Sequence, residues 1–410
     1  MAELLILTPQ LPYPPQQGTS LRNYHIIKGL APRHQITLLS FLEEGQTLDK
    51  AAPLQALCRQ IVTVPVVQRS IGDRLRQLVT SQLPDMAHRL YTPVFAEQLR
   101  ELLQQNSFDV VQIEGIELVR YMAIVREVSP QSRLVFDDHN VETELQRRNF
   151  WVDVCRPHRW VAALYSAVQM GRLGRFEQWA CEMADAVTTV SEADREQLGG
   201  LFPELVTPIT AVPNCIDITF YEPSSLPETA DLPRYDLVFI GKMDYRPNID
   251  AVRWFAEAVW PQVLAVRPET TWAIVGQKPH PAVIRLGEQS GITVTGWVED
   301  IRPYLLGAEV FIMPFRVGSG TRLKLIEALA AGKAIVSTRV GAEGFPIRDG
   351  QDLVLADSAE EMATAVLHLL HNTEARTRLG ENGRILARRY DWREIIPLFD
   401  DIYRSIGVFA

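Results

Sequence analysis

The sequence predicts an α/β protein built from two doubly wound, Rossmann-like domains that face a central cleft. Three observations predict it. Short aliphatic and β-branched runs alternate with helical patterns along the chain, as parallel sheets covered on both faces require. The 410 residues exceed one ordinary core and suggest two domains. A stretch at 214–235, with several prolines and few periodic apolar positions, separates two runs of the same alternation. The expected organisation is a first domain over 1–213, a linker over 214–235 and a second domain over 236–390.

In the first half, residues 3–8 (ELLILT) read as a buried parallel strand, and the proline-dense loop PQLPYPPQQGTSLRNY leads into a helix over about 20–30. Gly18, Thr19 and Ser20 supply a flexible turn and capping hydroxyls at that helix start, with Arg22 one step inside, so a bound anion is expected there. A plain surface turn with a cap is the alternative. Further strands are expected at 35–41, 61–66, 109–113, 133–137, 186–190 and 208–212. Directly after the strand at 133 comes DDHNVETE. This places Asp138, His139, Asn140 and Glu142 beyond a strand's carboxyl end, where open α/β sheets hold their ligands. His139 is the leading candidate for polar chemistry, weighed against a hydrogen-bonded structural histidine.

Residues 146–176 carry Arg147, Arg148, Arg156, Arg159, Arg172 and Arg175 against one acid, Asp153, with aromatic residues between them. Such a face suits an anionic acceptor or an anionic membrane surface, or else a solvated helix with its apolar side in the core.

The second half restarts the grammar with strands at 236–241, 271–276 and 292–296, and helices over about 250–265 and 280–289. Glycine-bearing loops follow at Gly241, Gly276 and 317–322 (VGSGTR), all after expected strands and therefore at one sheet edge. The run AEVFIM, the turn PFRVGSGT, a helix over 322–331 and the run AIVST read as strand, turn, helix, strand. Gly318 and Gly320 allow close backbone approach, and Ser319 or Thr321 is expected to cap the helix. Lys324 and Glu327, three apart, share a helix face. Lys242, Arg246 and Lys324 bring positive charge that suits a diphosphate, while Glu327 accepts from sugar hydroxyls. Neither half opens with G-x-G-x-x-G, so a nucleotide sugar fits better than a dinucleotide.

Composition narrows the rest. Apolar residues make up 47% and charged residues 22%, and the net charge of -9 attracts no nucleic acid. Cys58, Cys155, Cys181 and Cys215 are scattered, without the spacing of a zinc site or a disulfide framework. The start, MAELLILTPQ, lacks a basic export region, and no apolar run approaches the length of a membrane span. A cytoplasmic protein is expected, with a possible peripheral contact at the inner face of the cytoplasmic membrane.

Across nearly its whole length the chain resembles the GT-B glycosyltransferases, and more narrowly the family 4, group 1 enzymes of polysaccharide assembly. The resemblance is carried by PYPPQQGTSLRNY, DDHNVE, ADAVTTVSEADREQL, VPNCID, VFIGKMDYRPNIDAVRWF, GWVEDIRPYLLGAEVFIMPF and GSGTRLKLIEALAAGKAIVST. It implies a nucleotide-diphosphate-sugar donor held mainly by the second domain and a glycan, lipid-linked or small-molecule acceptor held mainly by the first. It also implies transfer with retention of configuration, no metal and no further cofactor. By position Glu327 resembles the second acid of the family's E-x7-E motif, which holds the ribose, and Ser319 stands where the first acid would be. Lys242 and Arg246 resemble the family's basic pair, and Gly18 the glycine that meets the donor phosphates. His139 resembles the residue facing the donor sugar, and Trp297 with Val298 the loop bordering the base. Asp138, Asn140, Arg147 and Arg148 are the expected acceptor contacts. The amphipathic tail over 391–410 resembles the C-terminal helix that crosses back to the first domain. Two rivals share this architecture: a nucleotide-sugar 2-epimerase and a nucleotide-sugar-binding protein without turnover.

Overall fold

A computed structural model of the chain describes residues 1–15, 18–154, 160–227, 231–318 and 321–408. Two compact units result: Met1–Asn214 with Ile395–Ala410, and Cys215–Glu394.

The first unit is a parallel sheet of β1 (Glu3–Thr8), β2 (Gln35–Leu42), β3 (Gln60–Pro65), β4 (Val110–Glu114), β5 (Arg133–Asp138), β6 (Ala186–Thr189) and β7 (Ile209–Ala211). Their order is β3-β2-β1-β4-β5-β6-β7. The chain reverses its direction of winding between β1 and β4, and ligands of open α/β sheets collect beyond the carboxyl ends at such a point. Continuous apolar runs form the central strands because both faces are covered: Leu4 to Leu7 of β1 are at most 1% exposed.

The second unit repeats the plan with β8 (Tyr235–Ile240), β9 (Trp272–Val275), β10 (Ile292–Gly296), β11 (Ala308–Met313), β12 (Ala334–Ser337) and β13 (Val354–Leu355). Their order is β10-β9-β8-β11-β12-β13, which puts the reversal between β8 and β11. Strand β13 has only two residues, too few to show any period in sequence.

Several expected elements differ in detail. The helix expected over 250–265 is three segments, Arg246–Trp254, a wider π turn at Phe255–Val259, and Trp260–Val266. Pro261 has no N–H to donate back along the helix, which explains the local widening. The tail over 391–410 is likewise broken, into Trp392–Ile395 and Pro397–Ser405, with proline again at the break. Part of the expected linker belongs to the second unit. The Ile216 N–H donates to the Tyr390 carbonyl at 3.0 Å, and the Ile216 carbonyl accepts from the Trp392 N–H at 3.0 Å. Within the first unit the returning segment is packed tightly: a Cβ at Gly29 would fall 2.7 Å from the Ile396 side chain.

Candidate active site

In the first unit the carboxyl edge of the sheet carries a buried polar network. Asp137 and His139 lie two apart along extended backbone and point to one side, while Asp138 points to the other. Asp137 accepts from Arg22 Nε at 2.7 Å and Arg22 Nη2 at 2.8 Å, and also from the Thr188 hydroxyl. His139 Nε2 is 3.0 Å from Glu114 Oε2 and 3.5 Å from Asp137 Oδ2. Glu114 accepts from the Gln112 amide, whose oxygen accepts from the Tyr403 hydroxyl of the returning segment.

The charges follow from these contacts. Burial works against the His139 imidazolium, but hydrogen bonds to Asp137 and Glu114 prevail and push its pKa up to about 9. Burial, with the Asp137 charge, pushes Glu114 up to about 7. For Asp137 burial is overcome by Arg22 and His139, which hold it well below the usual carboxylate range. Ligand atoms of Glu114, Asp137 and His139 lie within 4.8 Å of one another, near enough to share an ion. Arg22 and His139 already supply positive charge there, so the trio is balanced without one.

On the other side of β5, Asp138 is 1% exposed and neither carboxylate oxygen has a hydrogen-bond partner among the described residues. Burial, together with the nearby charges of Glu177, Glu142 and Asp194, holds its pKa well above the usual value. Glu142 is pushed up to about 8, by burial first and then by Glu117 and Glu177. Glu177, from the helix Trp160–Met183, accepts from the N–H groups of Glu142 at 2.7 Å and Thr143 at 3.2 Å and so caps the helix Glu142–Val154.

A cavity of about 110 Å³ opens beside these residues. Its walls come from Pro9 and Thr19 after β1, Gly115 to Glu117 after β4, and Asp138, His139, Asn140 and Glu142 after β5. The winding reversal therefore assembles it. Gly115, at φ 89°, belongs in a region disfavoured for other residues, and a Cβ there would sit 3.4 Å from Glu117 Oε2 and 3.6 Å from His139 Nδ1.

In the second unit, Lys324 and Glu327 share one face of the helix Leu323–Ala330. Lys324 Nζ donates to Asn248 Oδ1 at 2.9 Å and stands 4.7 Å from the centre of the Phe239 ring and 5.0 Å from that of Phe315. Burial, and then the Arg322 charge, push its pKa down to about 7. Gly241 makes room for it, since a Cβ there would fall 2.7 Å from Nζ. Gly276 in turn lies against Gly241: at φ 149°, its Cβ would meet the Gly241 carbonyl oxygen at 1.8 Å. Arg322 stacks 4.7 Å from the Phe315 ring centre, and a Cβ at Gly318 would come within 2.9 Å of its Nη2. Glu327 accepts from the Tyr221 hydroxyl at 2.8 Å, and burial raises its pKa against the lowering influence of Tyr221 and Lys324.

Gly241, Gly276, Gly318, Lys324 and Glu327 thus lie at or beyond the carboxyl edges of β8, β9 and β11. Trp297, 63% exposed, and the half-buried Val298 directly follow β10.

Two family models match the chain, one described as Glycosyltransferase Family 4 over residues 17–220 and one as Glycosyl transferases group 1 over residues 234–372. The chain belongs to the family 4, group 1 glycosyltransferases.

This glycosyltransferase is 26% identical over 333 residues to phosphatidyl-myo-inositol mannosyltransferase of Mycobacterium leprae, a match spanning 78% of this chain and 80% of that protein. Among the other curated relatives the match spans about half of the protein or less: 47%, 31% and 52% of three of them. In structure it resembles sucrose-phosphate synthase from Thermosynechococcus elongatus, with a TM-score of 0.71, 16% identity and 100% of both chains covered. It also resembles Anabaena HepE crystallised with UDP and glucose, with a TM-score of 0.68, 15% identity and 99% and 100% coverage. The two Rossmann-like sheets are those of the GT-B fold.

Some expected site residues stand elsewhere in the glycosyltransferase. Arg22, expected at the donor phosphates, is 2% exposed; besides binding Asp137, its Nη1 donates to the Val212 carbonyl at 3.0 Å and to Asn214 Oδ1 at 3.2 Å. It neutralises a buried acid and ties β5 to the turn after β7. Gly18 is the first residue of the helix Gly18–Leu30, so Thr19 and Ser20 are inside the helix rather than capping it. Thr321 does not cap the helix at Leu323 either: Arg322 holds the cap position, and no side-chain cap is made there. Arg147 is taken by Glu144 at 2.7 Å on an exposed helix face, and Asn140 donates to Glu142 at 3.4 Å. Lys242 is 40% exposed, 3.8 Å from Asp244, and Arg246 is an exposed residue opening its helix. Ser319, Gly320, Arg156, Arg159 and the side chain of Arg148 lie outside the described residues.

Sequence reasoning missed Tyr221, Asn248, Asp137, Glu114 and Arg322 as partners in these networks. Tyr221 meets Glu327 from 106 positions away, and Asn248 meets Lys324 from 76. Separations of that size leave no periodic signal.

Proposed function

We propose that the protein transfers a sugar from a nucleotide-diphosphate sugar to a hydroxyl of a glycan or lipid-linked acceptor, with retention of configuration and without a resident metal. The observation that carries the proposal is the pairing of Lys324 and Glu327 on one helix face, the first beside Gly241 and the second held by Tyr221. A buried lysine at the edge of a glycine-lined turn suits the diphosphate, and an acid one helical turn further on suits the ribose hydroxyls. The solved relative holding UDP and glucose supports the same donor class.

In this reading, departure of the diphosphate leaves charge on its oxygen, which the ammonium of Lys324 and the guanidinium of Arg322 stabilise. His139 carries its proton at neutral pH, so it donates to a sugar oxygen and does not act as the base. Glu142, pushed up to about 8, also holds its proton there; the Asp138 carboxyl is buried with its pKa held well above the usual value, and Glu117 is paired with Arg89 at 3.2 Å. No cavity carboxylate is then poised as a nucleophile, and the leaving phosphate itself takes the acceptor proton on the same face. Among the described residues the cavity is lined by Glu117, Asp138, His139, Asn140 and Glu142 with Thr19, and by no lysine or arginine. It suits the hydroxyl-bearing edge of an uncharged sugar and disfavours phosphate or carboxylate in that place.

The test is incubation with UDP-, GDP-, ADP- and dTDP-sugars, with and without neutral and phosphorylated glycoside acceptors. Release of nucleoside diphosphate that depends on a neutral acceptor, with an axial or equatorial linkage matching the donor, is the expected result. An altered sugar still attached to its nucleotide, or tight donor binding with no turnover on any acceptor, would refute transfer. Unchanged turnover after exhaustive chelation is expected, and loss of turnover restored by a divalent cation would refute metal independence.

A further inference from the structure

Residues 218–225, part of the expected linker, form two short 3-10 turns within the second unit, Ile218–Tyr221 and Pro223–Ser225. Turns this short make few bonds of their own, so their position depends on what grips them. On one side Asp391 Oδ2 accepts from the Ile218 N–H at 3.3 Å, and Arg393 reaches Asp391 at 2.9 Å and Asp217 at 3.4 Å. On the other side Arg302 Nη1 donates to the carbonyls of Phe220 at 3.3 Å and Ser225 at 3.4 Å. Its guanidinium also lies over the Phe220 ring, 3.8 Å from the centre.

Arg302 has a second attachment. Its Nη2 is 2.6 Å from Asp300 Oδ2 and its Nε donates to Asp300 Oδ1 at 3.0 Å, a fork that a lysine could not reproduce. Asp300 belongs to the segment that leaves β10 through Trp297 and Val298. Between these anchors stands Tyr221, buried and edge-on to Phe220 at 5.3 Å, with its hydroxyl on Glu327 Oε1 at 2.8 Å. Burial and the Glu327 charge hold the Tyr221 pKa well above its ordinary value, so the hydroxyl keeps its proton to donate. The last torsion of a glutamate is broad, and a fixed donor on one oxygen selects one setting of it. Glu327 is half-buried, and its Oε2 makes no hydrogen bond among the described residues, which leaves that oxygen for a ligand.

We propose that the turn at 218–225 is a strut that fixes Glu327 relative to the segment after β10, with Tyr221 and Arg302 as positioning residues that make the site select a ribonucleoside over a deoxyribonucleoside diphosphate. Arg302 grips the turn and the segment after β10 together, and Tyr221 carries that position to the carboxylate. Held so, the two oxygens keep lone pairs for the neighbouring hydroxyls of a ribose. A site built to hydrogen-bond a hydroxyl rejects the analogue that lacks it, because its own polar atoms are then left unpaired. The inference rests on the proposed placing of Glu327 at the ribose and adds the residues that give that contact its selectivity.

The test is calorimetric titration of the full chain with UDP, GDP and ADP, each beside its dideoxy counterpart, which lacks both ribose hydroxyls. For the base it binds, the parent is expected to prefer the ribonucleotide about tenfold or more. Tyr221→Phe keeps the buried ring, and Arg302→Met keeps an unbranched stem over Phe220. Each is expected to reduce the preference about threefold or more, and in Tyr221→Phe the dideoxy affinity stays within about twofold of the parent. A merely structural role would weaken both nucleotides alike, so a parental ratio in either variant would overturn the proposal. Glu327→Ala separates the two levels. A parental ratio there would remove Glu327 from the ribose and the donor site with it, as would a parent with no preference or no binding. A ratio lost in Glu327→Ala but kept in Tyr221→Phe would leave the donor site standing and overturn the positioning alone.

Discussion

Replacing Lys324 with methionine removes a buried ammonium whose pKa is pushed down to about 7 by burial and by Arg322. The unfolded chain, with the ordinary value of 10.5, holds the extra proton between about pH 7 and that value. Stability therefore rises with pH across this window and loses that contribution as the pH falls through the folded value. A bound diphosphate reverses the preference, because a dianion beside Nζ favours the charged form. With a pKa of about 7 when empty and a normal one when occupied, binding takes up about 0.9 proton at pH 8 and about 0.1 proton at pH 6. The same difference weakens affinity about tenfold from pH 6 to pH 8, equivalent to about 1.4 kcal/mol. The assay is titration calorimetry with an intact nucleotide sugar, whose phosphates do not titrate in this range, in buffers of contrasting ionisation enthalpy. Glu114 and Glu142, at about 7 and about 8, also titrate near neutrality, so the Lys324→Met variant is the control that isolates the lysine. Proton uptake near zero at pH 8 in the parent, or the same uptake in Lys324→Met, would refute the placing of Lys324 against the diphosphate.

Glu327→Ala is expected to weaken donor binding roughly 10- to 100-fold, the worth of hydrogen bonds to a charged group, with an unchanged circular dichroism spectrum; unaltered affinity would remove Glu327 from the site. Arg22→Met strips the buried Asp137 charge of its guanidinium partner, leaving only His139 and the Thr188 hydroxyl beside it, and is expected to cost about 3–5 kcal/mol in urea denaturation followed by tryptophan fluorescence. The double variant Arg22→Met/Asp137→Leu should recover most of that loss, and a double variant as unstable as the single one would argue against an ion-pair origin. Gly276→Ala drives a Cβ to 1.8 Å from the Gly241 carbonyl oxygen, which belongs to backbone and cannot swing aside. A cost of about 3 kcal/mol or more is expected; a thermal midpoint equal to that of the parent would show that the two loops are farther apart.

Most strands were legible because a parallel sheet buried on both faces demands uninterrupted apolar runs, as in LLIL and LVFI. The pairing of Lys324 with Glu327 was legible for a similar reason: three residues along a helix is a local distance. Local pattern was a poor guide at Arg22, where a cation near a helix start looked like an anion contact and is in fact spent on Asp137, 115 positions later. It was silent on the helix Ile71–Thr80 as well. A four-residue apolar period is the same whether the stripe faces the core or the solvent, and only the surrounding fold shows that it faces out.

By itself, then, the sequence determined two α/β units, the turns at their sheet edges and the side-by-side placing of Lys324 and Glu327, since each depends on neighbours a few residues apart. Tertiary structure alone decided which charges are spent and which are kept. The depressed pKa of Lys324, the protonated His139 and the buried carboxyl of Asp138 arise from burial and from groups contributed by other strands and helices. Solvation and charge compensation are properties of the space around a residue, and that space exists only once distant segments have come together.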